Sequence, residues 1–466
     1  MEERTRPTLK PCEQKRSKAA ETVAHVDDRL SLLPDEILLK IWSHLATMKD
    51  AARASLASRK WKHMWLVHPL LNFEDKNLLQ RVRTNYKKLI DKERSNFINR
   101  VDYIVEHHLG TVIDEFRVAF DLDHENHSHV DKWLDFAFAK QVKRLELVLK
   151  RAGSNSKRKP YDMKMPCNFG TVNFKSTLTS LRLESVNVTA EVIDSFLGSF
   201  PSLEVFSVRW IHSFTSITAC SPLPLKHLEV CYCECLKLID LCVPHLLSFT
   251  YEGLTYGGWP AKLHFRNASS LSAVSIGCFG SNCIAYAFDF LLIYCAQLQS
   301  VEVKCGLFKH TNLQINHCPM FRNVKHLTLN VIPDEDASIL GWTPLIKACP
   351  VLEKLTLNLE TPPPLECMPT RKMRKLDAHP LSCLKTLEIV GFLGYCVNRE
   401  LVMFVIENAD ILDEMIVDAR SPYLRKNSNV HTGFSFEDRC PDLESHKIAF
   451  DLLQMLSPSV KLTFIT

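Results

Sequence analysis

With 466 residues, 46% of them apolar and 24% charged, the chain has the composition of a globular protein and cannot be disordered throughout. Lysine and arginine (57) nearly balance aspartate and glutamate (53), and a net charge of +4 excludes a general electrostatic pull toward nucleic acid or acidic membrane. Only 14 glycines are present, few for an enzyme that cradles phosphates on glycine-rich loops.

There are 17 cysteines. The opening residues Met1-Glu2-Glu3-Arg4 are polar, with no apolar stretch behind them. The expectation is therefore a chain that is not exported, in nucleus and/or cytoplasm, with reduced thiols. The longest strongly apolar run, near Phe290–Ala296, is far short of the roughly 20 residues a membrane helix needs.

Residues 1–28 are charged and aperiodic and read as a disordered arm. Gln14-Lys15-Arg16-Ser17-Lys18 could serve nuclear import, but so few basic residues are commonplace in a solvated tail. The character changes at Leu33-Pro34-Asp35-Glu36-Ile37. Proline suits a first helical turn, and the acids meet the positive helix end. Ile37, Leu38, Ile41, Trp42 and Leu45 then form one apolar stripe. Asp50 can cap a second helix, and a third would carry Trp61, Met64 and Trp65. Three short helices bury little, and this unit has more large apolar residues than it can cover, as a docking module would.

These residues, over about Asp28–Phe73, resemble the F-box motif in the version of plant F-box proteins with leucine-rich repeats. Ala46 stands where many relatives have proline, and Trp42 where a smaller apolar residue is common. The resemblance implies docking on a Skp-type adaptor, and through it a cullin, by a face comprising Leu33, Pro34, Ile37, Ile41, Leu45 and Trp61. We place this unit at 29–75 and a linker or helical connector at 76–130. In the connector, His124, His127 and His129 lie near several aspartates. Their spacing matches no structural zinc framework and no His-Glu-x-x-His helix, so the reading is a solvated polar loop.

From residue 131 a fragment recurs, apolar-x-x-apolar-x-apolar, first as Val142/Leu145/Leu147 and last as Leu412/Met415/Val417. Its eleven copies start 21 to 36 residues apart, mostly near the leucine-rich-repeat period of about 20–29. The last two apolar residues bracket one position, so both point inward from a short strand and the bracketed residue points out. The bracketed residues include Glu146, Arg182, Glu229, Glu302 and Glu388. These five form the candidate target-binding surface, one suited to a basic or mixed-charge protein segment. Helices are expected at Ala190–Phe200, Ala285–Ala296 and Leu340–Ala348. The predicted fold is α/β: a three-helix N-terminal unit, then an irregular leucine-rich-repeat solenoid over 131–380, parallel strands on its concave face and helices or loops outside. An ordinary α/β domain with parallel strands is the alternative, disfavoured by eleven copies of one template. The asparagine or cysteine usual three residues past the last apolar position recurs only as Cys233. Cys231, Cys233 and Cys235 alternate without an opposing Cys-x-x-Cys and read as buried or half-buried repeat cysteines.

Residues 381–466 read as a final repeat and cap. Leu384–Phe392, Gly394, Glu400-Leu401, Phe404-Val405-Ile406 and Leu412 resemble the FBD region that follows the repeats in many plant F-box proteins. A helix is expected at about Asn398–Asn408, another at Ala449–Leu456 and a closing strand at Val460–Ile465.

The sequence contains no Gly-x-Gly-x-x-Gly, no Gly-Lys-Ser/Thr phosphate loop and no Gly-x-Ser-x-Gly elbow. No catalytic, cofactor-binding or metal residue is assigned, and no nucleic-acid or membrane partner. The resemblance implies a non-catalytic substrate adaptor of a Skp–cullin–F-box ubiquitin ligase, holding an unknown target protein on its repeats. The alternative is a repeat scaffold that regulates a partner without ubiquitin transfer.

Overall fold

The structure is a computed structural model. It describes residues 32–43, 66–74, 86–149, 159–165, 177–254, 260–279, 283–306, 318–332, 339–359, 376–392, 396–418, 420, 422, 456 and 459–465. The expected second and third N-terminal helices, and nearly all of the expected helix 449–456, lie outside these residues.

Helix α1 spans Asp35–Ser43. Pro34 precedes it, and its carbonyl accepts the amides of Ile37 and Leu38, both at 3.1 Å. A parallel sheet of fourteen strands follows. Its strands, in sheet order, are β1 (Leu70–Glu74), β2 (Glu115–Ala119), β3 (Arg144–Val148), β4 (Ser180–Glu184), β5 (Val205–Arg209), β7 (His227–Cys231), β9 (Ser248–Leu254), β11 (Ala273–Phe279), β12 (Ser300–Gly306), β13 (His326–Ile332), β14 (Lys354–Leu359), β15 (Thr386–Val390), β16 (Glu414–Asp418) and β17 (Lys461–Ile465). All eleven repeat fragments form strands of this sheet, β3 to β16, and the closing strand is β17. The bracketed positions fall in register: Glu146 faces Arg182, Ser207 faces Glu229, and Thr356 faces Glu388.

Period-2 alternation explains the two faces. The flanking apolar pairs, such as Leu145/Leu147, Leu228/Val230 and Leu387/Ile389, are at most 2% exposed, and each such side chain contributes about 1.5–3 kcal/mol on burial. They join one hydrophobic cluster that runs from Leu71 to Val417.

The segment 76–130 is more than the expected connector. It contains helix α2 (Tyr86–His107) and strand β2, and β1 pairs with β2 from Leu70 onward. The sheet thus begins ahead of the expected start at 131. Phe116 and Val118 are buried in the same cluster. The polar loop expected at His124–His129 is a short 3-10 turn leading into helix α3 (His127–Ala139). Asp123 caps the turn, its carboxylate accepting from Glu125 N at 3.0 Å.

Helices back the sheet at α4 (Ala190–Ser199), α5 (Cys283–Tyr294), α6 (Thr343–Lys347) and α7 (Cys396–Asn408), close to the expected stretches. Between β5 and β11 the backing is instead a second parallel sheet, in the order β10 (Lys262–Arg266), β8 (Leu238–Cys242), β6 (Ser216–Pro222). Phe265 of β10 meets Phe249 of β9 edge to face at 4.7 Å. Each outer strand of this sheet meets a helix. Helix α4 packs on β6. On the other side, the Tyr286 and Tyr294 hydroxyls donate to the carbonyls of Ala261 and Phe265.

Four of the repeat strands end on a shared backbone device. Ser185, Trp210, Tyr232 and Gly391, each two residues past the last inward side chain, have φ of 59°, 55°, 57° and 77°. Each amide donates to a carbonyl of the next repeat, at 2.9, 3.0, 2.6 and 2.8 Å respectively. This left-handed residue extends the ladder one step past each strand. Only Gly391 is a glycine, and a Cβ there would collide with the Leu359 carbonyl.

Candidate functional site

Helix α1 carries the first expected surface. Ile37 and Ile41 lie one turn apart and are 46% and 36% exposed. Pro34 is exposed and Leu33 half-buried, whereas Leu38, beside them on the adjoining flank of the helix, is fully buried. The stripe read as a single apolar face is thus split: Leu38 packs inward, while Ile37 and Ile41 stand in water. Exposed large apolar groups in a row mark an interaction site. Leu45 and Trp61, the remaining residues of the expected docking face, lie outside the described residues.

The segment leaving this unit is clasped to the solenoid. Leu109 N donates to Leu66 O at 2.7 Å, and Asp114 N to Pro69 O at 2.8 Å. The buried His108 ring places Nε2 3.0 Å from the His68 carbonyl, an acceptor, so this nitrogen carries the proton. Burial, countered in part by that hydrogen bond, lowers the pKa of His108 from its ordinary value.

The second surface is the open face of the long sheet. The structure places Glu146, Arg182, Glu229, Glu302 and Glu388 in its central row. They are not a bare acidic stripe. Glu146 pairs with Arg117 of β2, which also reaches Glu74 at 3.2 Å. Arg182 turns to Glu184 at 3.0 Å rather than to its register neighbour Glu146. Glu229 accepts from Arg209 Nε at 2.9 Å and from the Ser207 hydroxyl at 2.6 Å. Burial alone would raise the pKa of Glu229, but these donors outweigh it and hold it below the usual carboxylate range. Glu302 accepts from Ser275, and Glu388 from Lys354 at 2.7 Å. The face therefore presents acids held by neighbouring cations and hydroxyls.

The partners Arg209, Glu252 and Lys304 went unread in the sequence. They share one signal: each directly follows the last inward apolar residue of its fragment, one place along the strand. Lys304 is squeezed between Glu252 and Glu302. Burial would lower its pKa, but the two carboxylates raise it. Cys231 and Cys233 are buried and Cys235 is exposed. Burial pushes the Cys233 thiol up to about 12 and Cys231 well above the ordinary thiol value, so neither is a nucleophile at neutral pH. Among the described residues no group of three or more histidines, cysteines or acids could hold a metal ion.

Comparison with known proteins agrees with this architecture. The family model described as At1g61320/AtMIF1, LRR domain, matches residues 104–450, and an F-box-like model matches residues 30–67. Similar proteins of Arabidopsis thaliana include F-box/LRR-repeat protein At3g58940, 23% identical, with 84% of this chain and 65% of that protein covered. Putative F-box protein At3g58860 is 24% identical over 85% of this chain and 90% of its own length. FBD-associated F-box protein At1g66310 is 23% identical over 87% and 92%. The chain thus spans just under two thirds of the first relative and about nine tenths of the other two. The chain belongs to the At1g61320/AtMIF1 leucine-rich-repeat family, with an F-box-like domain ahead of the repeats.

Proposed function

We propose that this chain is the substrate-recognition adaptor of a Skp–cullin–F-box ubiquitin ligase. The observation that carries the reading is the exposed Ile37–Ile41 stripe on α1, inside the F-box-like region. This stripe docks on a Skp-type adaptor, and the cullin is reached through that adaptor. The open face of the sheet holds the target protein. Catalysis is then by proximity: tethering raises the effective concentration of target lysines near the charged ubiquitin-conjugating enzyme. The chain supplies no catalytic residue, and it works in nucleus and/or cytoplasm.

The test is capture of a purified Skp-type adaptor by the full chain. Wild type retains the adaptor, and Ile37→Asp loses it while keeping the wild-type unfolding midpoint. Equal capture by wild type and variant sinks the docking assignment.

A further inference from the structure

Three aliphatic side chains stand in water at the base of the first two strands. Val67, Leu109 and Val112 are 41%, 69% and 42% exposed. Single exposed aliphatics are ordinary on a protein surface, but these three lie together. Leu109 N and Gly110 N both donate to the Leu66 carbonyl, at 2.7 and 3.4 Å, so Leu109 adjoins Val67. Strands β1 and β2 pair in register from Leu70 and Glu115, and Pro69 O still accepts from Asp114 N at 2.8 Å. Continued two residues further back, that register sets Val67 opposite Val112, one strand spacing of about 4.8 Å away.

The loop that carries two of them is pinned. His108 and Ile113, at its ends, are 6% and 0% exposed. Between them Lys140 Nζ donates to Gly110 O at 2.6 Å, and Ile113 N donates to Lys140 O at 3.1 Å. A Cβ on Gly110 would lie 2.6 Å from the His108 ring, so the turn has no room for a side chain there. Leu109 and Val112 are thus held between anchors on either side, and a partner that covers them loses little entropy in ordering the loop.

Position along the solenoid says what covers the patch. Val67 is the last residue of the F-box-like region, residues 30–67, so the patch begins where the docking unit ends. It stops at β2. The same register carried to β3 and β4 gives Gln141 and Thr177 in place of Val67 and Val112. The base beside them is held by an ion pair, Lys143 to Asp114 at 2.7 Å. A clustered apolar surface marks an interaction site, and this one is confined to the two repeats nearest the F-box-like unit.

We propose that a Skp-type adaptor docked on the F-box-like unit makes a second contact with Val67, Leu109 and Val112. This rests on the adaptor-docking reading of that unit and adds a second surface to it. A three-helix unit gripped alone would let the solenoid pivot on residues 66–69. Contact on both sides of that joint fixes the angle between adaptor and solenoid, and with it the position of the target lysines.

The test uses the full chain and a purified Skp-type adaptor. Leu109→Asp should weaken adaptor binding about tenfold, since covering one aliphatic side chain contributes about that factor or more. Ile293→Asp, at a residue of α5 that is 68% exposed, should bind as wild type does. A photo-cross-linking benzoylphenylalanine in place of Leu109 should capture the adaptor, and the same group in place of Ile293 should not. Wild-type affinity of Leu109→Asp, or weakened binding without the cross-link, overturns the proposal. A cross-link from position 109 to this chain or to a second copy overturns it too, because the patch then has another occupant. The cross-link decides the question if Leu109→Asp lowers the unfolding midpoint. Ile37→Asp keeps the two readings apart: if it loses the adaptor while Leu109→Asp retains it in full, the docking role stands and the second contact falls. If neither variant changes capture, both fall.

Discussion

Trp210 stacks on Tyr232 with ring centroids 4.3 Å apart and planes 20° from parallel, and both residues sit in the left-handed backbone region. Successive repeats place their turn residues at the same level, so two aromatic rings meet just past the ends of β5 and β7. The Tyr232 hydroxyl also donates to the buried Glu252. Tyr232→Ala should therefore cost about 3–5 kcal/mol, as large-to-small aromatic truncations in a core do. Tyr232→Phe should cost about 1 kcal/mol for the lost hydrogen bond. Urea unfolding of the two variants checks both the values and their order.

Among the four left-handed turn positions, Gly391 is the one that requires glycine. Its φ of 77° and the nearby Leu359 carbonyl leave no room for a side chain. Gly391→Ala should lower stability by more than about 1 kcal/mol, where the same change at the open Gly198 in helix α4 should be neutral or stabilising. Thermal unfolding distinguishes the two.

The docking stripe is exposed, so changing it should not touch the fold. Ile37→Asp and Ile41→Asp should each stay within about 0.5 kcal/mol of wild-type stability while losing the Skp-type adaptor. A large loss of stability would place these side chains in the core instead.

The clasp between the F-box-like unit and the sheet should respond to pH. The pKa of His108 is lowered in the folded chain, chiefly by burial. The folded state therefore binds fewer protons than the unfolded one, and stability is lost as pH falls from about 6.5, the unfolded value, through the lower folded value. Amides of residues 109–115 should exchange faster in that window, and His108→Gln should flatten the response. Exchange that is independent of pH after correction for the intrinsic rate would contradict this.

The extended sheet changes where the chain can be cut. A fragment starting at residue 130 would strip β2 from β3 and expose the core side of Phe136, which packs 6.1 Å from Phe116. A fragment starting near residue 66 keeps β1, α2 and β2. Limited proteolysis should find the longer fragment resistant and the shorter one degraded.

The sequence by itself determined every repeat strand from β3 to β16 and the closing strand, because period-2 alternation between two inward apolar residues is a local property. It also determined which side chains face outward: Glu146 and Glu302 are legible from their two neighbours alone. Strand β1 escaped because Leu71/Phe73 follow His68 where the template has an apolar residue, whereas β2 carries the whole template as Ile113/Phe116/Val118 and was legible ahead of the expected start at 131. The second sheet escaped because Ile239/Leu241 and Leu263/Phe265 show the same local pattern as a repeat strand, and only their packing on Phe249 tells which layer they occupy. Tertiary structure alone decided the ion pairs. Arg182 pairs with Glu184 rather than with its register neighbour Glu146, and Lys304 pairs with both Glu252 and Glu302, because of which strands stand side by side.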